Sequence, residues 1–225
     1  MVYKKRLDGR KLDETRPIEA KVGIIKRADG SAMFKIGKTM AYAAVYGPRE
    51  LYPRFMQDPS KGILRINYNM MPFSSGGERV RPGGGRRSKE ISMVTENALS
   101  AVVDLTRFPG TVIDVDILVL QANASTRCAG INAAAMALAH AGIVMKEMVA
   151  SISTGKIDRT LVLDLNKYED SDFHDGEGST DIPFTLTSRG DAIAHLQLDG
   201  KIRPSEFLEL YEMAKKACKK LMKLR

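Results

Sequence analysis

Three stretches of the sequence carry side chains whose types and spacing suit chemistry on phosphates. The first is Asn123-Ala124-Ser125-Thr126-Arg127-Cys128-Ala129-Gly130-Ile131, where a strand pattern gives way to a helical one. Ser125 or Thr126 can cap such a helix, and its free amides and dipole make an anion site. Arg127 in the first turn opposes the dipole, a conflict that an anion held between amides, hydroxyl and guanidinium would resolve. The bland alternative is an ordinary cap with Arg127 in solvent. The second stretch gathers Arg79, Arg81, Arg86, Arg87 and Lys89 beside glycines and a proline in 74–85. Guanidinium forks on a glycine-rich loop suit phosphates, including a nucleic-acid backbone contacted without sequence preference, although a solvated basic loop has the same composition.

The third stretch runs from Asp164 to Asp181, where Asp164, Glu169, Asp170, Asp172, Asp175, Glu177 and Asp181 face a single lysine. Carboxylates at the lip of a strand can hold Mg²⁺ or Mn²⁺, or supply a general acid. Asp181 opens the apolar run Ile182-Pro183-Phe184-Thr185-Leu186 and is the foremost candidate. For Asp170, Asp172 and Glu177 the pattern favours a solvated acidic loop, and His174 is expected to be exposed. Tyr68 lies in a strand that delivers the chain to the basic loop, where its ring could stack on a base of single-stranded RNA or pack in the core. Arg65, on the same strand, joins Arg79, Arg81 and Arg86 as a candidate RNA contact.

The elements that must position these groups follow from hydrophobic periodicity. Residues 1–20 read as a charged, extended arm. Residues 24–34 suggest a hairpin around Asp29-Gly30, and 39–46 a buried strand stopped by Gly47-Pro48. A strand is expected over 64–70 and a helix over 87–106, with Ile91, Val94, Ala98, Leu99, Val102 and Leu105 at helical spacing. A strand over 111–121 leads into an Ala-rich helix over 126–140, whose small residues suit close packing at the centre of the fold. Further strands are expected at 148–153, 160–165, 181–187 and 192–198, and a Lys-rich helix over 204–224 carries the stripe Phe207, Leu210, Met213, Ala217 and Leu221. The order implies an α+β fold with no repeating βα unit.

Composition bounds the rest. The chain has 225 residues, 44% hydrophobic and 28% charged, enough for a sizeable core and unlike a disordered chain. A net charge of +8 favours polyanionic partners, nucleic acid first. Cys128 and Cys218 are too few for a disulfide framework or a cysteine zinc site, and reduced thiols point to a cytoplasmic location. No run approaches the ~20 apolar residues of a membrane-spanning helix, and residues 1–10 do not read as a secretion signal.

At this point the residues resemble a known family over nearly the whole chain. The landmarks are Arg6-Leu7-Asp8-Gly9-Arg10 with Arg16-Pro17-Ile18, Tyr68-Asn69-Met70-Met71-Pro72-Phe73-Ser74, and Arg86-Arg87-Ser88-Lys89-Glu90-Ile91. They continue with Leu120-Gln121-Ala122-Asn123-Ala124-Ser125-Thr126-Arg127, Leu163-Asp164-Leu165-Asn166-Lys167 and Asp181-Ile182-Pro183. In this order they resemble the RNase PH family, and within it the catalytic RNase PH-like subunits of archaeal exosomes more than bacterial RNase PH, which trims transfer RNA.

The resemblance implies a fold like RNase PH and domain 2 of ribosomal protein S5, taken here as one domain over 1–225. Its parts would be the arm 1–20, a first half 21–145 with the basic loop and phosphate-binding helix, and a second half 146–225 with the acidic loop. It implies a hexameric ring in which this subunit alternates with an inactive homologue beneath RNA-binding cap proteins, with no membrane involved. The implied reaction is attack of inorganic phosphate on the last phosphodiester at an RNA 3′ end, releasing a nucleoside diphosphate reversibly. Ser125, Thr126 and Arg127 should hold the phosphate with help from Arg87. Arg86 should contact the RNA backbone, Tyr68 should stack on a base, and Asp181 should be the catalytic acid or a metal-linked carboxylate.

Two departures stand out. The family places a second Asp six residues before the catalytic one. Asp175 has that spacing and is the preferred second metal ligand, while Glu169-Asp170 better resembles the surrounding text, leaving Asp170 as the alternative. The family's usual Asp in the Gln-Ala-Asp segment is Asn123 here. The competing readings are a metal-dependent hydrolytic nuclease, a non-catalytic RNA-binding ring subunit, and a tRNA-trimming enzyme of bacterial type.

Overall fold

A computed structural model of the chain describes residues 3, 5–76, 80–81, 85–174, 176–189 and 192–224. Arg79 and Asp175, both candidates above, lie outside the described residues.

The architecture is α+β, with two sheets and three long helices. Strands β1 (Ile18–Val22), β2 (Gly30–Ile36), β3 (Thr39–Glu50), β4 (Ile63–Met70) and β5 (Thr111–Gln121) form one sheet, in the order β1-β2-β3-β5-β4. Strands β6 (Val149–Ile157), β7 (Thr160–Leu163), β8 (Ser179–Thr187) and β9 (Ile193–Leu196) form the second, in the order β7-β6-β8-β9. All pairings are antiparallel except β4 with β5, which are parallel and joined through α1 (Arg86–Ser100).

Helix α2 (Thr126–His140) lies between the sheets, touching β2 and β3 on one side and β6 on the other, while α3 (Pro204–Met222) covers the far side of β6. Twelve of the fifteen residues of α2 are buried, so it needs side chains small enough for close packing on every face. Alanine meets that need and is also the strongest helix former. β6 has helices on both faces and is buried along its whole length. One continuous core joins both sheets through α2, from Phe34 and Ile117 to Phe184 and Leu221.

Several elements depart from expectation. The hairpin β1–β2 turns through residues 23–29, with Ile18 opposite Ile36, so Asp29-Gly30 leads into β2 and is not the tip. β3 does not stop at Gly47-Pro48; a register shift between Tyr46 and Arg49 lets the strand pass the proline and pair on to Glu50. α1 ends at Ser100, where the Val102 and Val103 amides both donate to the Leu99 carbonyl and close the helix, and a separate 3₁₀ turn follows at Leu105–Arg107.

Candidate active site

The strand–turn–helix of β5 and α2 builds one wall of the site. β5 ends at Gln121, and the chain reverses into α2 through Asn123, Ala124 and Ser125. Ala124 and Ser125 both have positive φ, 59° and 54°, in the left-handed region where a non-glycine residue costs about 1–2 kcal/mol. Ser125 stands at the N-cap position of α2, yet its hydroxyl makes no capping bond. Ser125 therefore leaves the amides at the start of α2 uncapped, and Ser125, Thr126 and Arg127 border a cavity of about 370 Å³.

The opposite wall comes from the second sheet. Asp181 is the third residue of β8 and lines the same cavity, where it accepts a short hydrogen bond from the Ser153 hydroxyl of β6. Asp170 reaches the cavity from a π-helical turn at Tyr168–Asp172. Burial and the neighbouring Asp170 charge push the Asp181 carboxyl up to about 7, against the opposing pull of Ser153 and Arg127. Desolvation raises Asp170 as well. Asp181 can therefore hold a proton near neutral pH and release it, as a general acid must.

Arginines offset this acidic corner. Arg87, in the first turn of α1, lines the cavity, and its charge favours the ionised form of Asp170. Arg127 pairs with Glu90 of α1 at 3.3 Å, and Gln197 donates to the same Glu90 oxygen at 3.4 Å. The site thus sets cationic groups and helix amides against three carboxylates, Asp170, Asp181 and Asp199. Among the described residues no three His, Cys, Asp or Glu side chains are arranged as a metal cluster. The donor set fits the other mode by which Mg²⁺ is held, one or two carboxylates completed by substrate phosphate and water. Asp181 and Asp170 are the residues that would serve.

The structure thus brings together Ser125, Thr126, Arg127, Arg87, Asp181 and Asp170. Asp170 is not the solvated loop residue that its local pattern suggests, because the π-helical turn folds it inward. Arg81 and Arg86 are exposed and do not line the cavity. Arg65 does not reach it either: it lies on the open face of the first sheet, bonded to Asp114 at 2.5 Å, beside Arg49 and Asn67.

Tyr68 corrects a base-stacking expectation. It is 1% exposed and its ring packs beneath α2, where a Cβ on Gly130 would meet it at 3.4 Å. Its hydroxyl lies by Thr126 without a well-formed hydrogen bond. Even-numbered residues of β4 face the core, so Tyr68 is buried by the same alternation that buries Leu64 and Ile66.

Sequence reasoning missed Ser153, Lys167, Gln197 and Asp199, which also border the cavity. Asp199 exchanges backbone hydrogen bonds with Asp181, at 3.0 and 2.9 Å, fixing the lip of β8. Lys167 donates to the Gly76 carbonyl at 2.9 Å and so ties the acidic turn to the start of the basic loop. Its place beside Asn166 in the Leu-Asp-Leu-Asn-Lys segment was the available signal. His195, beside Arg127, is pushed down to about 4 by burial and stays neutral.

Comparison with known proteins identifies the family. Residues 14–144 match the model of domain 1 of the 3′ exoribonuclease family, and residues 147–217 match that of domain 2. The chain is 51% identical over 215 residues to the exosome complex component Rrp41 of Thermococcus kodakarensis, covering 96% of this chain and 84% of that protein. It is 48% identical over 214 residues to the Rrp41 of Methanopyrus kandleri, covering 95% and 87%. Rice Rrp46 superposes with a TM-score of 0.82 at 26% identity, covering 97% of both chains. A chain of the Archaeoglobus fulgidus exosome with RNA bound to the active site has the same TM-score at 24% identity, covering 97% of this chain and 92% of that one. With both domain models matched in order and relatives near half identity along almost its whole length, the chain belongs to the RNase PH family of 3′ exoribonucleases.

Proposed function

We propose that the chain is the catalytic subunit of an exosome ring that degrades single-stranded RNA from its 3′ end by phosphorolysis. The observation that carries this reading is the facing of an uncapped helix start, with Ser125, Thr126, Arg127 and Arg87, against the Asp181–Asp170 pair across one cavity. Family membership and the exosome relatives support the same assignment.

In the proposed reaction an oxygen of inorganic phosphate attacks the phosphorus of the last phosphodiester. The new P–O bond forms as the bond to the leaving 3′ oxygen breaks, and that oxygen takes a proton. One nucleoside diphosphate leaves, and the RNA keeps a free 3′ hydroxyl. Ser125, Thr126, Arg127 and Arg87 bind the attacking anion and offset its repulsion from the RNA phosphate, which preorganised donors do without reorganisation. Asp181 carries the proton for the leaving oxygen, and the reverse reaction returns it. Were Asp181 instead to hold Mg²⁺ or Mn²⁺ with Asp170, the metal would neutralise phosphoryl oxygens and the departing 3′ oxygen in place of that proton. Arg86 and Arg81, exposed outside the cavity, would contact the RNA backbone. The ring would alternate this subunit with an inactive homologue and carry RNA-binding cap proteins.

The test is incubation of end-labelled single-stranded RNA with the chain, alone and with its partner subunits, with and without inorganic phosphate and Mg²⁺. Nucleoside diphosphates that appear only with phosphate are the expected products. Monophosphates formed without phosphate would establish a hydrolytic nuclease instead, and tight binding without products a scaffold subunit.

A further inference from the structure

Arg16 touches no part of the cavity, yet it is bonded to the residues that shape it. We propose that Arg16 is a positioning residue for inorganic phosphate. Its guanidinium, clamped to Asp164, holds the Asn123–Ser125 turn in the left-handed form that sets Ser125 and the first amides of α2 at the cavity. This inference rests on the phosphate-site reading above.

The turn has two consecutive non-glycine residues with positive φ, Ala124 and Ser125, and neither has a side chain that stabilises that conformation by itself. Such backbone persists only where its surroundings over-determine it, and it concentrates at functional sites. Here the surroundings are specific. Arg16 donates through one terminal nitrogen to the Asn123 carbonyl and through the other to the Ser125 hydroxyl at 3.0 Å. The second nitrogen also reaches Asp164 at 2.6 Å, and the Arg16 amide and Nε both donate to the other Asp164 oxygen. Asp164 is fully buried and is a third residue with positive φ, at 55°. One planar fork therefore ties together two irregular turns, one following β5 of the first sheet and the other β7 of the second.

Two further features fit a site built for this purpose. Thr39, also fully buried, donates to the Ala124 carbonyl at 2.7 Å and accepts from the Asn123 amide at 2.9 Å, completing the turn's backbone bonds. Gly37 leaves the channel in which the Arg16 side chain lies, since a Cβ there would stand 2.5 Å from Arg16 Cδ. The Ser125 hydroxyl is consequently held by Arg16 and by the Asp164 and Leu165 oxygens, not spent on capping α2. A lysine at position 16 keeps the charge but lacks the fork needed to reach Asn123, Ser125 and Asp164 together.

The test uses the complex assembled with its partner subunits. KM for inorganic phosphate is measured at saturating RNA, and KM for RNA at saturating phosphate, for Arg16→Lys, Thr39→Val and Arg127→Ala, with thermal midpoints alongside. Arg16→Lys should raise KM for phosphate about tenfold and leave KM for RNA within about twofold, as expected for misplacement of a binding group by a fraction of an ångström. Thr39→Val should move the same parameter by about threefold. An unchanged KM for phosphate in both variants would overturn the proposal, as would equal changes in both KM values that track the loss of thermal stability. Should Arg16→Lys fail to assemble, Thr39→Val decides alone. If Arg127→Ala leaves KM for phosphate unchanged, the phosphate-site reading itself fails and takes this proposal with it.

Discussion

Asp181 joins two properties that oppose each other, and the tension between them is measurable. Its carboxyl sits at about 7 in the folded chain against an ordinary value of 3.8, so the native state binds more protons than the unfolded state between those values. Stability from this group is fully present in acid and is lost as pH rises through that window. Asp181→Asn removes the ionisation. In metal-free buffer the variant should match the parent's stability near pH 4 and exceed it at pH 8, by up to about 4 kcal/mol, in denaturant titrations. The same substitution should lower the phosphorolysis rate by about 10²–10⁴-fold, the usual contribution of a general acid. A variant both less active and less stable at pH 8 would remove the burial account. Tyr68→Phe tests the neighbouring correction. It deletes a buried hydroxyl that makes no well-formed hydrogen bond among the described residues, so the chain should gain about 1 kcal/mol without a change in KM for RNA.

Among the elements, those with unambiguous local signals were legible in the sequence. The bounds of β5 and α2 follow from alternation ending at Gln121 and from a run of small residues closed at Ala141-Gly142. The Ser125–Arg127 segment was legible for the same reason, since it occupies the junction between those two patterns. β3 was cut short because Gly47-Pro48 is a strong local stop, whereas pairing with β5 carries the strand past it with a shift in register. Tyr68 was ambiguous because a strand's faces are assigned only once its neighbours are known. Asp170 was obscured by the residues that separate it from Asp181: spacing counts chain length, while the π-helical turn decides where the side chain goes. Gly155 of β6 shows how tightly this second sheet supports the site. A Cβ there would stand 2.1 Å from the Thr180 carbonyl oxygen, next to Asp181, and would also press on Leu165. Gly155→Ala should therefore lower the thermal midpoint by several degrees and cut activity more than Gly142→Ala, whose Cβ would meet nothing within 4 Å and whose cost is confined to the strain of a φ of 74°, about 1–2 kcal/mol.

At the scale of the whole molecule, the net charge of +8 sits on a chain whose cavity corner is acidic, so the cationic surplus lies outside the point of chemistry. RNA held by exposed arginines such as Arg86 and Arg81 should bind less tightly as salt rises, because counterions released on binding must be displaced. Alanine at either position should weaken RNA binding and reduce the slope of log K against log salt by about 0.7, the single-strand value per phosphate contact. KM for phosphate should change little. A slope that both variants leave untouched would place the RNA path elsewhere on the surface.

The partners of the N-terminal arm also set when the site can exist. Arg16 bonds to Ser125 across 109 positions and to Asp164 across 148, and Arg6 grips Glu169, the neighbour of Asp170, across 163. As the chain is synthesised, the arm precedes both halves and waits for its partners until they have followed, and contacts of such separation form late because loop closure must precede them. A nascent chain that stops before Asp164 holds every side chain proposed above to bind phosphate and still lacks the clamp proposed to arrange them. On the proposed site, competence to cut RNA should therefore require the second half of the chain, and a copy that ends before it should be silent.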